Sequence, residues 1–125
     1  CIRDRGEGLP EVFAAMALGL KDLMLGGSPT GRSRQIDISL KAENNAELLV
    51  AWLNEIIYRF ETLDLVPDSF HIDRLENGRL QATIHGERFD PGRHLIERQA
   101  KAATYHQLLL EESAAGWHAR IYIDL

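Results

Sequence analysis

The chain contains a single cysteine, Cys1, among 125 residues. No internal disulfide can form, and one thiol suits a reducing compartment. Blocks of Lys or Arg are missing too. The 14 basic residues are scattered against 19 acidic ones, for a formal charge of −5. Blanket electrostatic binding of RNA or DNA needs clustered cations to neutralise phosphates. The charge balance argues against that class and leaves open a local basic patch. No apolar run approaches the roughly 20 residues of a membrane-spanning helix, and no signal-peptide pattern is present. Repeats, low-complexity tracts and linkers are absent. The opening Cys-Ile-Arg-Asp-Arg-Gly has no Met and reads as entry part-way through a strand, so further residues are expected upstream. What remains is the composition of an ordinary globular protein, with one domain over residues 1–125.

Periodicity supplies the elements. Phe13, Met16, Ala17, Leu20, Leu23 and Met24 recur at spacings of three and four, which predicts a helix from Leu9 to Leu25. Pro10 suits its first turn and Gly26-Gly27 its end. A second and broader stripe runs through Leu48, Leu49, Trp52, Leu53, Ile56, Ile57 and Phe60. It predicts a helix over Ala46–Leu63, capped by Asn44 or Asn45 and packed on a sheet. Strict alternation predicts strands over Gln35–Lys41, Ser69–Leu75 and Arg79–His85, the last two joined by a tight turn at Asn77-Gly78. Arg98–Leu110 and Trp117–Leu125 read as a closing hairpin. With Ile2–Arg5 as the end of a strand, the order is β–α–β–α–β–β–β–β. The expected fold is α+β, a single mixed sheet with two helices packed on it.

Few residues single themselves out chemically. The loop Ser28–Ser33 lacks the spacing of a phosphate-binding loop. His71, His85, His94, His106 and His118 form no zinc-type pair. His106 follows Tyr105 on a predicted strand, where a hydrogen-bonded structural histidine is the plain alternative to a catalytic one. No GxSxG elbow selects a hydrolase. Asp124 and Leu125 together concentrate hard oxygen donors of the kind that suit calcium or magnesium. The plain alternative is a solvated polar end. Lys101 stands on a predicted strand among small residues. It is either an edge lysine that blocks stray pairing or a cation placed for a phosphate or a partner's carboxylate.

Leu48-Leu-Val-Ala-Trp-Leu-Asn-Glu-Ile-Ile-Tyr58, Gly86-Glu87, Asp90, Arg93-His94, Lys101-Ala-Ala-Thr-Tyr-His106 and Ile121-Tyr-Ile-Asp-Leu125 occur in this order. Together they resemble the archease family over essentially the whole chain. The resemblance implies a non-enzymatic protein cofactor. It would activate the GTP-dependent RNA ligase of tRNA splicing and RNA repair by promoting guanylylation of the ligase histidine and multiple turnover. It also implies a divalent cation, calcium first and magnesium or manganese as alternatives. Asp124 and Leu125 match two of the family's ligands, Lys101 matches its strand lysine, and Lys101 with His106 would meet the partner or a phosphate. The third ligand belongs to a His-Thr-Ala-Asp motif. In the family pattern that motif is followed by one residue and then by the pair that Cys1-Ile2 match, so it and a first strand would lie upstream. Asp4 falls later in the pattern and does not take that role. A cytoplasmic location, indirect or weak RNA contact and no membrane association complete the expectation. Two other readings stand beside it: a chaperone-like scaffold or modulator of other RNA-modification enzymes, and a small hydrolase using His106.

Overall fold

The computed structural model describes residues 1–125. Along the chain run β1 (Ile2–Gly6), α1 (Leu9–Leu25), β2 (Arg34–Lys41), α2 (Asn45–Leu63), β3 (Leu65–Glu76), β4 (Arg79–Arg88), β5 (Ala102–Ser113) and β6 (Gly116–Asp124). The α+β class, the element order and the two helices agree with the sequence reading. The single mixed sheet does not. The strands form two three-stranded sheets, β1–β6–β5 and β2–β4–β3, and every neighbouring pair is antiparallel. A strand–helix–strand order suggests a parallel crossover only if both strands join one sheet. Here α1 carries the chain from the first sheet to the second. Around α2, β2 and β3 do run parallel, but β4 lies between them and opposes both.

The helices explain why two sheets are needed. From Ala46 to Ile57 no residue of α2 is exposed. A helix apolar over so much of its circumference has to be covered on more than one side. It packs on β5 of one sheet and on all three strands of the other, while α1 touches β1, β6 and β3 as well as α2. The helices thus form a middle layer, with the shared core between the two sheets. Trp52 and Phe13 are among its fully buried side chains. The Trp52 indole N–H donates to the Phe13 carbonyl at 3.0 Å, and the ring meets Phe70 edge-on at 5.9 Å. Neither helix is long and apolar enough to cross a membrane.

Local chemistry sets the boundaries. The Asn44 side chain accepts from the Glu47 N–H at 2.8 Å, satisfying one free donor of the first turn of α2. Asn77 and Gly78 take φ of 52° and 71°, the left-handed pair that a two-residue hairpin requires. Strand β3 starts earlier than its alternation indicates, because Pro67 lies inside it. β3 is an edge strand, and its register shifts between Pro67 and Ser69. A proline is tolerated in that setting because no ladder donor is lost. Opposite it, Gly86 leaves room for the Val66 carbonyl, which a Cβ would strike.

Trp52→Phe keeps most of the buried ring but removes the bond between the helices. A cost of about 1–3 kcal/mol is expected, read as a lower urea midpoint with an unchanged slope. An unchanged midpoint would mean that the Phe13 carbonyl needs no partner outside α1.

Candidate functional site

Strand β6 ends at Asp124, which is exposed, and Leu125 beyond it is 55% exposed. The sequence placed Lys101 within a strand, but it lies one residue before β5. Its backbone N–H still donates to the Asp124 carbonyl at 2.8 Å, and Ala102 pairs with Asp124 directly. The structure therefore brings Lys101 and Asp124 together through the main chain. Both side chains are exposed, and neither enters an intramolecular ion pair. A cation and a carboxylate are held side by side at one end of the sheet and left available to something outside.

Two devices lock this end. The first is Asn54, an amide beside the α2 stripe. Its Oδ1 accepts from the Ala103 N–H at 2.7 Å, and its Nδ2 donates to the Ala103 carbonyl at 3.2 Å. The side chain acts as a one-residue strand on the free edge of β5, satisfying both main-chain groups of a buried residue. The signal in the sequence was an amide set beside the apolar stripe, between Leu53 and Ile56. The second device is the segment 89–101. His94 is fully buried, and its Nδ1 accepts from the Asp90 N–H at 2.9 Å. In the neutral ring the proton is then on Nε2. Nε2 lies 3.1 Å from Glu87 Oε1, close but off the line of a hydrogen bond. Arg93 pairs with the same oxygen. Gly31 fits against the other Glu87 oxygen, in space that a Cβ would occupy. Beyond this anchor, the N–H groups of Glu97 and Arg98 reach the Met24 carbonyl at the end of α1, and Ala100 is buried beside Lys101.

His106 occupies a different kind of position. Thr104 pairs with Tyr122 and Leu109 with Arg120, so Tyr105, His106, Gln107 and Leu108 all stand opposite Ile121. This wide bulge, with Gln107 at φ 51°, interrupts the expected regular hairpin. His106 is exposed on it, its ring 5.7 Å from that of Tyr122. Its neighbour is an aromatic ring and not a carboxylate, so no catalytic triad forms around it. As for a metal, no three His, Cys, Asp or Glu side chains converge anywhere in the molecule. Asp124 and Leu125 bring oxygens to one end, short of the roughly six to eight that calcium takes.

The Archease protein family matches residues 1–125. The chain is 32% identical over 124 residues to the protein archease of Methanosarcina mazei, covering 96% of this chain and 85% of that one. It is 32% identical over 128 residues to the protein archease of Pyrococcus furiosus, covering 99% and 90%. The solution structure of a Methanobacterium thermoautotrophicum protein superposes with a TM-score of 0.81 at 26% identity, covering 98% of this chain and 89% of that one. A crystal structure from Thermotoga maritima, described as an archease and possible chaperone, gives 0.62 at 14% identity, covering 99% and 88%, a likeness of fold.

Asn54→Ala would leave the Ala103 N–H and carbonyl without partners. A loss of about 1–3 kcal/mol is expected, with faster amide exchange at Lys101 and Ala103 than at the Asn77 hairpin. Equal exchange at both places would show that Asn54 supports the whole fold and not this end in particular.

Proposed function

The chain belongs to the archease family, and from that premise we propose that it is a protein cofactor of the GTP-dependent RNA ligase of tRNA splicing and RNA repair. It promotes guanylylation of the ligase and multiple turnover, in the cytoplasm, without performing the ligation itself. The observation that carries this reading is the joint at Lys101 and Asp124. Their backbones are fixed by a hydrogen bond, by Asn54 and by the docked segment before β5, yet their side chains have no partner within the chain. Rigid placement of unpaired charges is what a surface needs if it is to complete a site on another molecule, because little ordering is left to do on docking.

In this mechanism the end of β6 enters the ligase cleft. Lys101 presents its ammonium to a phosphate or carboxylate there, and Asp124 presents its carboxylate to a cation or a donor. His106, on the bulge beside Tyr122, lies at the rim of the same surface. A divalent cation, calcium or in its place magnesium or manganese, would supply charge neutralisation of phosphates. Asp124 and Leu125 are its donors within this chain and do not make a full shell, so no step is assigned to it.

The possible-chaperone description of the Thermotoga maritima relative favours a second reading, a scaffold for RNA-modification enzymes. The two differ in what they require of Asp124. Multiple-turnover RNA joining by the ligase of the source organism, with GTP and divalent metal, should rise when the chain is added. Asp124→Ala and Lys101→Ala should each lower that rise by about tenfold or more, the effect of removing one charged hydrogen-bonding group, with thermal melts unchanged. If both variants stimulate like the parent, the mechanism at this end is wrong. Partner binding that survives chelation and Asp124→Ala, without stimulation, would support the scaffold.

A further inference from the structure

The solvent face of the β1–β6–β5 sheet gathers three arginines in an acidic molecule, with Glu111 and Asp124 on the same side. Register places Arg3 across from Arg120 and Arg5 across from His118. Like charges directly opposite on neighbouring strands repel. No carboxylate forms an ion pair with Arg3, Arg5 or Arg120. Asp4 accepts from the Arg5 backbone N–H, and Glu111, paired with His118, is the acidic residue within these rows. Three unpaired guanidinium groups therefore share one open face in a chain of formal charge −5. They line a shallow depression with Asp4, Leu109 and His118.

One of the three is held in place. Arg120 donates from Nε and Nη2 to the Gln107 carbonyl, at 3.4 and 3.1 Å. That carbonyl is available because the bulge in β5 puts Gln107 at φ 51°. The other non-glycine residues with positive φ are Asp64, which ends α2, and Asn77, in a tight turn. Gln107 alone occupies such a conformation inside a strand, and bulges of this kind re-aim side chains. The same bulge lifts His106 onto Tyr122, one step along β6 from Arg120 on the same face. The face thus combines arginine forks with aromatic rings.

We propose that this sheet face binds single-stranded RNA directly and weakly. Arg3, Arg5 and Arg120 contact the phosphodiester backbone, and Tyr122 with His106 offers a platform on which a base stacks. Guanidinium groups match phosphate oxygens in geometry and charge. Bases stacked on aromatic side chains beside a cationic track are the common way in which single strands are held. An acidic peptide would use the arginines but has no need of the rings, so the combination favours RNA. The inference stands apart from the ligase reading, because it is tested with RNA alone.

The experiment is fluorescence anisotropy of the full chain against a labelled single-stranded RNA of about 12 nucleotides, a length within the range of known single-strand sites, over a series of salt concentrations. Binding should weaken with salt. The combined substitution Arg3→Ala, Arg5→Ala and Arg120→Ala should weaken it about tenfold or more and flatten the log–log salt slope by about 0.7 for each phosphate no longer neutralised. Arg3→Glu with Arg5→Glu, on the exposed edge strand β1, gives the same test should the triple variant not fold. Tyr122→Ala should weaken binding with the salt slope unchanged. Arg79→Ala, on the other sheet, should change nothing. Three results would overturn the proposal: no binding by the parent chain, equal losses from Arg79→Ala and the β1 pair, or arginine-dependent binding of an oligoglutamate peptide and not of RNA. The last would assign the face to an acidic protein.

Discussion

A helix that shows no exposed residue from Ala46 to Ile57 leaves the chain little choice of architecture. α2 must be enclosed, and a three-stranded sheet can cover only one side of it. The division into two sheets, the place of α1 beside α2 and the passage of the chain between layers all answer that requirement. Asn54, a half-buried amide of this helix, meets the outer edge of β5, where the N–H and carbonyl of Ala103 face no strand. An amide there without partners would be costly, and so would an orphaned backbone pair. Each satisfies the other, and the end of the β5–β6 hairpin is held as a result.

Much of this could be read from the residues. Where one face of an element is buried and the other wet, its period appears in the sequence, as in Gln35–Lys41 and in both helices. Asn77-Gly78 declared its turn through the φ it tolerates. Partnership between elements was less legible. Periodicity reports how much of a helix is covered but not by how many sheets, so α2 looked like a helix resting on one sheet. Pro67 lies before the strand expected over Ser69–Leu75, because a proline is hostile to a central strand and only the edge position of β3 makes it acceptable. Leu108, Leu109 and Leu110 read as a continuous run and hid the change of phase that the bulge at Tyr105–Leu108 introduces.

The candidate site divides along the same line. Asp124, Leu125, Lys101 and His106 stood out by chemical type and by resemblance to a family pattern. The residues that hold them did not. Glu87 and His94 belong to that pattern, but their contact depends on a turn at Asp90 that brings the histidine back beneath β4. The facing arginines of β1 and β6 are more than a hundred positions apart in the chain, and only the ladder between the two strands makes neighbours of them.

That ladder has a consequence for biosynthesis. β6, near the end of the chain, is the central strand of its sheet, and β1, near the beginning, pairs with nothing else. The β2–β4–β3 sheet can assemble on α2 while the ribosome is still making the remainder, because its strands follow one another closely. β1 has to wait as an unpaired segment until β6 emerges, and closing so long a loop slows the last step. The surface that carries Lys101, Asp124 and the facing arginines therefore exists only once β6 has been made. A chain stopped before β6 would hold a formed half-core and could not present it.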